Sequence, residues 1–275
     1  MTLDSWAGWV AVLGSVSSAA IVAAVLRSPP RRLVRANYAG RPVPGVLGLG
    51  LVPAAVLGTL VGAWAAPGPS LGAAGIAALV ALTVMGAAGL ADDLSGPGPR
   101  GLRGHLASLA SGHPTTGILK LVVGVASGVV LGVLLGGGPL RMAAGAVLMA
   151  ASANVWNALD VVPGRSVKWS ILPLAVALVA GWTGAAGLVA GAVLGAAVGV
   201  LPFDLLERGM LGDAGSNPLG LSVGFGLAAT LPTAAVVLAA LAALALQAVA
   251  ETVTITRLVE ATPALRWLDG VGRRP

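Results

Sequence analysis

Two adjacent carboxylates, Asp92 and Asp93, close an apolar run of roughly twenty residues and are followed at once by Ser95, Gly96 and Pro97. Two unpaired negative charges at the centre of a bilayer cost several kcal/mol. The pair must therefore reach the water interface or meet a partner, and Mg²⁺, Lys or Arg are the natural ones. A second set, Asn154, Asn157 and Asp160, is spaced by three, so on a helix its members share one face. Two carboxamides and a carboxylate can bind a metal through oxygen or read a polar heterocycle; they can equally join helices by hydrogen bonds. A third segment, Gly212-Asp213-Ala214-Gly215-Ser216, sets one carboxylate among small residues at the mouth of an apolar run. Its backbone N–H groups can hold phosphate and Ser216 can cap a helix; a plain loop and cap is the alternative. Lys120, Arg165 and Lys168 are the nearby cations.

These residues need elements to hold them, and the composition says which. The 275 residues are 57% hydrophobic and 9% charged, outside the soluble globular range. The expected fold is all-α, a polytopic integral membrane protein. The apolar runs do not alternate, which excludes a β-barrel. With no Cys, disulfides and thiol chemistry are excluded. Nine spans are expected, at roughly 6–26, 46–66, 71–91, 118–136, 139–157, 168–181, 183–201, 218–231 and 233–250. They make one membrane domain, 1–250, followed by a basic amphipathic tail, 251–275, expected at the membrane surface. Met1–Asp4 lacks the basic start of a signal peptide, so the first run is read as a retained span.

Charge placement supports this order. The odd-numbered connections and the tail carry fifteen of the sixteen Lys and Arg residues, including Arg100, Lys120, Arg165, Lys168 and Arg274. The even-numbered connections carry only Arg141. The positive-inside rule then puts the N-terminus outside and the tail in the cytoplasm. The net charge of +6 thus reports topology and gives no reason to expect nucleic acid as a partner. Asp92, Asp93, Asp160 and Asp213 all fall on the cytoplasmic face, with the Pro- and Gly-containing loop Asn37–Gly45. Hard carboxylate oxygens beside cations suit Mg²⁺ and a diphosphate, and grooves between apolar helices suit a lipid tail.

With these segments in this order, the chain resembles the polyprenyl-phosphate N-acetylhexosamine-1-phosphate transferases, the MraY/WecA family, over roughly residues 30 to 250. Gly89-Leu-Ala-Asp92-Asp93 is similar to the family's Asp-Asp motif, and Asn154-x-x-Asn157-x-x-Asp160 to its Asn-x-x-Asn-x-x-Asp motif. Met210-Leu-Gly212-Asp213-Ala-Gly215-Ser216 is similar to its Phe-Met-Gly-Asp-x-Gly-Ser motif. The resemblance implies a bacterial plasma-membrane enzyme of cell-envelope glycan (such as peptidoglycan) assembly. It would pass a sugar 1-phosphate from a UDP-sugar to polyprenyl phosphate, with Mg²⁺. It implies Asp213 as metal ligand and Asp92, Asp93 and Asp160 as catalytic groups. Asn154, Asn157, Lys120, Gly212 and Ser216 would then bind substrate.

The chain departs from the family at Gly96, where the motif has a third Asp, and at Val161-Val162-Pro163-Gly164, which lacks another. The family's His-rich last loop has no counterpart. His105 and His113 lie in the third connection and are read as ordinary interfacial residues. Arg165 and Lys168 are expected to supply some of the missing diphosphate contacts. The departures also motivate a second reading, a catalytically reduced member that binds polyprenyl phosphate or an envelope-synthesis partner. An ion-coupled transporter fits poorly, because the carboxylates gather at one face and not at the midplane. Gly-rich outer spans are compatible with a homodimer without requiring one.

Overall fold

A computed structural model describes residues 6–65, 71–95, 98–99, 101–181, 184–252 and 255–273. Met1–Asp4, Gly96, Arg100 and Arg274 lie outside the described residues. The architecture is helical. In chain order the helices are α1 (Trp6–Val25), α2 (Leu47–Ala65), α3 (Gly72–Ser95), α4 (Gly101–Ala110), α5 (Thr116–Leu135), α6 (Pro139–Leu159), α7 (Arg165–Ala180), α8 (Ala185–Leu205), α9 (Asp213–Thr230), α10 (Thr233–Thr252), α11 (Ile255–Ala261) and α12 (Pro263–Gly270). Seven of them, α1, α2, α3, α5, α6, α8 and α10, are long and apolar enough to cross a bilayer, the pattern of a polytopic membrane protein. The expected spans at 168–181 and 218–231 correspond to α7 and α9.

The expectation of helices alone misses one feature. The first connection folds into an antiparallel hairpin, β1 (Val34–Ala36) with β2 (Pro42–Pro44). Asn37 builds its turn: Oδ1 accepts from the backbone N–H groups of Ala39 (3.0 Å) and Arg41 (2.9 Å). This is the turn chemistry that Asn supplies.

α9 is the central helix. It packs against α2, α3, α6, α7 and α8, and nearly every side chain from Ala214 to Phe225 is buried. Small residues permit the close approach. A methyl group on Gly220 would stand 2.2 Å from the Ser152 carbonyl oxygen of α6. Where α1 crosses α8, a methyl group on Gly195 would stand 2.0 Å from the carbonyl oxygen of Ala11. Ser18 of α1 donates to the Ala196 carbonyl of α8 at 2.9 Å. This is how helices associate when lipid gives no hydrophobic reward for pairing.

The two ends of α9 are matched to its dipole. Arg141, the one basic residue of the even connections, donates to the carbonyls of Ala228 and Leu231, both at 2.7 Å. A cation at a helix C-terminus is favourable. The helix is about 27 Å long, so the Arg141 end and the Asp213 end are separated by nearly the thickness of a hydrocarbon core.

The tail does not lie free on a surface. Ile255 and Val259 of α11 pack on Val155 and Leu159 of α6. Asp269 of α12 receives Arg165 Nε at 2.7 Å and a second guanidinium nitrogen at 3.0 Å. Both residues are buried. Lys168 donates to the carbonyls of Leu268 (3.0 Å), Asp269 (2.5 Å) and Val271 (3.1 Å), capping the end of α12. Arg273 donates to Asp269 at 2.8 Å and lies 5.9 Å from the centre of the Tyr38 ring. The tail therefore braces the start of α7 against the hairpin.

Candidate functional site

The site forms where α3, α5, α6 and α9 end on one side of the molecule. Helix α3 runs one turn past its expected end, so Asp92 and Asp93 sit on a helix and not in a loop. The extra turn persists because each carboxylate finds partners. Asp92 accepts from Thr116 and from Lys120, the latter at 2.8 Å. The ammonium group of Lys120 also donates to Asp213. Lys120 lies within α5 and not in the connection before it, and it bridges the first and the last of the acidic motifs. Thr115 starts that helix by accepting the Ile118 N–H at 3.3 Å.

Asp93 faces elsewhere. Its two oxygens accept the N–H groups of Asp213 (3.1 Å) and Ala214 (2.9 Å). It caps the start of α9 from another helix, in place of a side chain on the N-cap residue Gly212. Asp160, just past the end of α6, accepts the N–H of Gly212 at 3.0 Å. The carboxyl of Asp160 is pushed well above the ordinary range, first by loss of water and then by the charges of Asp204 and Asp213. The expectation that Ser216 caps α9 is thus corrected. The open donors at the helix start are taken by Asp93 and Asp160, which leaves none of these three N–H groups for phosphate. Ser216 lies one turn inside, with its hydroxyl 3.0 Å from Asn157 Oδ1 and 2.9 Å from the Gly212 carbonyl. Asn154, one turn earlier on α6, is exposed.

Backbone contact clamps this corner. A methyl group on Gly89 would stand 2.1 Å from the Asp213 carbonyl oxygen, and one on Gly48 would stand 2.4 Å from the Gly215 nitrogen. Neither obstacle is a flexible side chain. Gly89→Ala is therefore expected to destabilise the protein by about 1–3 kcal/mol or more and to move Asp213 off Lys120. The melting temperature in detergent measures the destabilisation.

Two expected ligand contacts are not met. Arg165 and Lys168 give their donors to α12 and to Thr256. A buried guanidinium already paired with a carboxylate is not open to a diphosphate. His105 Nδ1 lies 2.9 Å from Thr115 Oγ1, and His113 is exposed; neither joins the carboxylates.

Beside Asp160 opens a small, shallow cleft. Its apolar walls include Tyr38 and Val43 of the hairpin, Val162, Pro163 and Met210. Three carboxylates, Asp160, Asp204 and Glu207, also line it, and none of its lining residues is basic. Glu207 accepts from Asn37 at 2.7 Å and Arg41 at 2.5 Å, tying the hairpin to the segment before α9. Glu207 holds a positive φ of 53°, an uncommon conformation for a residue with a Cβ. Met210 N–H donates to the Pro44 carbonyl at 2.8 Å and continues that seam.

Asp204, Glu207 and Thr116 were not singled out from the sequence. Asp204 and Glu207 are two carboxylates within four residues at the C-terminal end of an apolar run, the same signal that marks Asp92 and Asp93. Thr116 carries no such signal.

Asp92 and Asp213 offer hard oxygens on one ammonium group, and a pair of carboxylates completed by substrate phosphates is how Mg²⁺ is commonly held. Among the described residues no three acidic or His side chains form a ready cage. The fit is therefore to a metal that arrives with phosphate, and not to a resident structural ion. No protein-family model matches the chain, and no curated protein matches it.

Proposed function

We propose that the protein transfers a sugar 1-phosphate, of the N-acetylhexosamine type, from a UDP-sugar to polyprenyl phosphate for cell-envelope glycan assembly. Nine spans would cross the bacterial plasma membrane, with the N-terminus outside and the site cytoplasmic. The observation that carries the reading is the bridge from Asp92 through Lys120 to Asp213. It joins residues from three helices, two of them from separate motifs, at the water-facing ends of apolar spans. Phosphoryl transfer asks for charge neutralisation and alignment more than for covalent chemistry; Mg²⁺ arriving with the diphosphate would supply the first, and the fixed start of α9 would supply the second.

In the reaction an oxygen of the lipid phosphate forms a bond to the β-phosphorus of the UDP-sugar. The bond from that phosphorus to the oxygen bridging to UMP breaks, and UMP leaves with the electron pair. Lys120 neutralises and holds together the carboxylates of Asp92 and Asp213. Asp93 and Asp160 position Asp213 by fixing the start of α9. Asp213, with Asp92, would hold Mg²⁺, which when bound neutralises phosphate charge. Asn157 orients Ser216 behind them.

One feature favours the reduced, non-catalytic reading: an ammonium group already occupies the space between the two carboxylates that would hold the metal. A single assay separates the two. The purified protein is incubated with undecaprenyl phosphate, Mg²⁺ and a panel of UDP-amino sugars. UMP release that requires both the lipid and Mg²⁺ is expected. No release with any donor, together with measurable undecaprenyl-phosphate binding, would support the reduced reading instead.

A further inference from the structure

Helix α7 has two unlike faces. Val167, Ser170, Leu174 and Ala177 are buried against the bundle. Arg165, Lys168, Leu172, Val176 and Val179 lie on the opposite side, within about 80° of one another at 100° per residue. On that outward face Leu172 (73% exposed), Val176 (40%) and Val179 (70%) stand open, as side chains facing lipid do. Arg165 shares the face and is buried. What covers it is α12, through the Arg165–Asp269 pair and the contacts of Lys168 with three carbonyls. Helix α12 thus lies across the start of a lipid-facing stripe, about one turn, roughly 6 Å, before Leu172. With 16 residues, α7 is about 24 Å long, shorter than a hydrocarbon core. Its first turn therefore belongs at the boundary between hydrocarbon and headgroups.

The sequence of α12 suits that boundary. Leu265 and Asp269 face the protein. Ala264, Trp267, Leu268 and Val271 recur at i, i+3, i+4 and i+7 and form a separate apolar stripe, with Val271 just past the helix end. All four are exposed, Trp267 to 72%. Arg266 points about 150° away from the middle of this stripe. It is exposed, and its side chain has no hydrogen bond or ion pair among the described residues. An apolar side with Trp and an opposite charged side is the pattern of a helix lying in the headgroup layer.

We infer that α12 is an interfacial anchor: the stripe of Trp267, Leu268 and Val271 lies in the headgroup layer of the membrane that the bundle crosses, continuous with the lipid-facing side of α7. The same helix holds Arg165 and Lys168 and reaches Tyr38 through Arg273, so the lipid surface also braces the hairpin. The contact depends on the bundle sitting in a bilayer and not on transfer chemistry, so failure of UMP release would leave it standing.

The chain has no Cys, so a single introduced cysteine reports one position. Leu268→Cys and Val271→Cys leave Trp267 in place, and Arg266→Cys serves as the reference on the charged side. Each is labelled with a small fluorophore and placed, one chain per disc, in phosphatidylcholine nanodiscs. Quenching is read with aqueous iodide and with phosphatidylcholine carrying a nitroxide near the headgroup end of its acyl chain. Labels at 268 and 271 are expected to be quenched by the nitroxide lipid at least about threefold more than the label at 266, and by iodide about threefold less. Iodide quenching at 268 and 271 equal to that at 266, without quenching by the lipid, puts the stripe in water and overturns the inference. Protection from both agents overturns it too, because protein and not lipid then covers the stripe. A second copy as the cover is recognised by protection that appears only in discs loaded with two chains.

Discussion

A Lys120→Met variant is expected to lose UMP release by at least about two orders of magnitude and to be less stable by about 3–5 kcal/mol. Lys120 is 12% exposed and, among the described residues, is the one side-chain cation in hydrogen-bond contact with Asp92 and Asp213, which are 27% and 20% exposed. Methionine keeps much of the length and apolar stem and removes only the charge. Two carboxylates are then left facing each other without the ammonium group, which is the costly way to break a partly buried ion pair. The loss has a signature beyond stability. If Asp92 and Asp213 are metal ligands, Mg²⁺ should raise the melting temperature of Lys120→Met more than that of the natural protein, because the divalent ion takes over the missing neutralisation. Thermal unfolding in detergent with and without Mg²⁺ measures this. Equal Mg²⁺ responses would remove the two carboxylates as a metal pair.

The second large effect is far from that corner. Asp269→Ala is expected to cost about 3–5 kcal/mol and to release the tail. Arg165 is 1% exposed and, without Asp269, would keep only Thr256 at 2.9 Å. A buried guanidinium without a counter-ion has no cheap alternative. The double change Arg165→Met with Asp269→Leu removes both charges and is expected to recover most of the loss, since apolar pairs commonly replace buried ion pairs without penalty. Proteolysis of the C-terminal segment and the melting temperature report the two outcomes.

The same pair sets a pH dependence. Burial alone would raise the carboxyl of Asp269, but the hydrogen bonds and charge of Arg165, with Arg273 and Lys168, outweigh it and hold its pKa below the ordinary carboxylate value. A depressed folded-state pKa contributes stability that is fully present above about pH 4, the unfolded value, and is lost as the pH falls through the folded value. The natural protein should therefore lose tail docking on acidification below that range. Asp269→Ala should show no such step.

How much of this was legible in the sequence follows from what each signal measures. Apolar run length located the bundle, and the gathering of Asp92, Asp160 and Asp213 at one end followed from which connections carry charge. Helix ends were misjudged at the site because hydropathy stops at the first charge. The helix does not stop there when Thr116 and Lys120 meet Asp92, or when Asp93 meets the start of α9. The roles of Asp93 and Asp160 were legible only as carboxylates. That they cap α9 from other elements is a tertiary fact with no local pattern. The bonds of Arg165 and Lys168 to Asp269 are hidden for the same reason: that partner lies about a hundred residues away. The hairpin was concealed by its length, since three-residue strands leave no alternation to detect.

The most direct test of the central claim, that Asp213 and its partners form a phosphoryl-transfer centre, is UMP release by Asp213→Ala beside the natural protein. Both are supplied with undecaprenyl phosphate, Mg²⁺ and the donor that the natural protein turns over fastest. A folded Asp213→Ala variant that still binds undecaprenyl phosphate, yet releases UMP at least about a hundredfold more slowly, is the predicted result. A variant that releases UMP at the natural rate would contradict it.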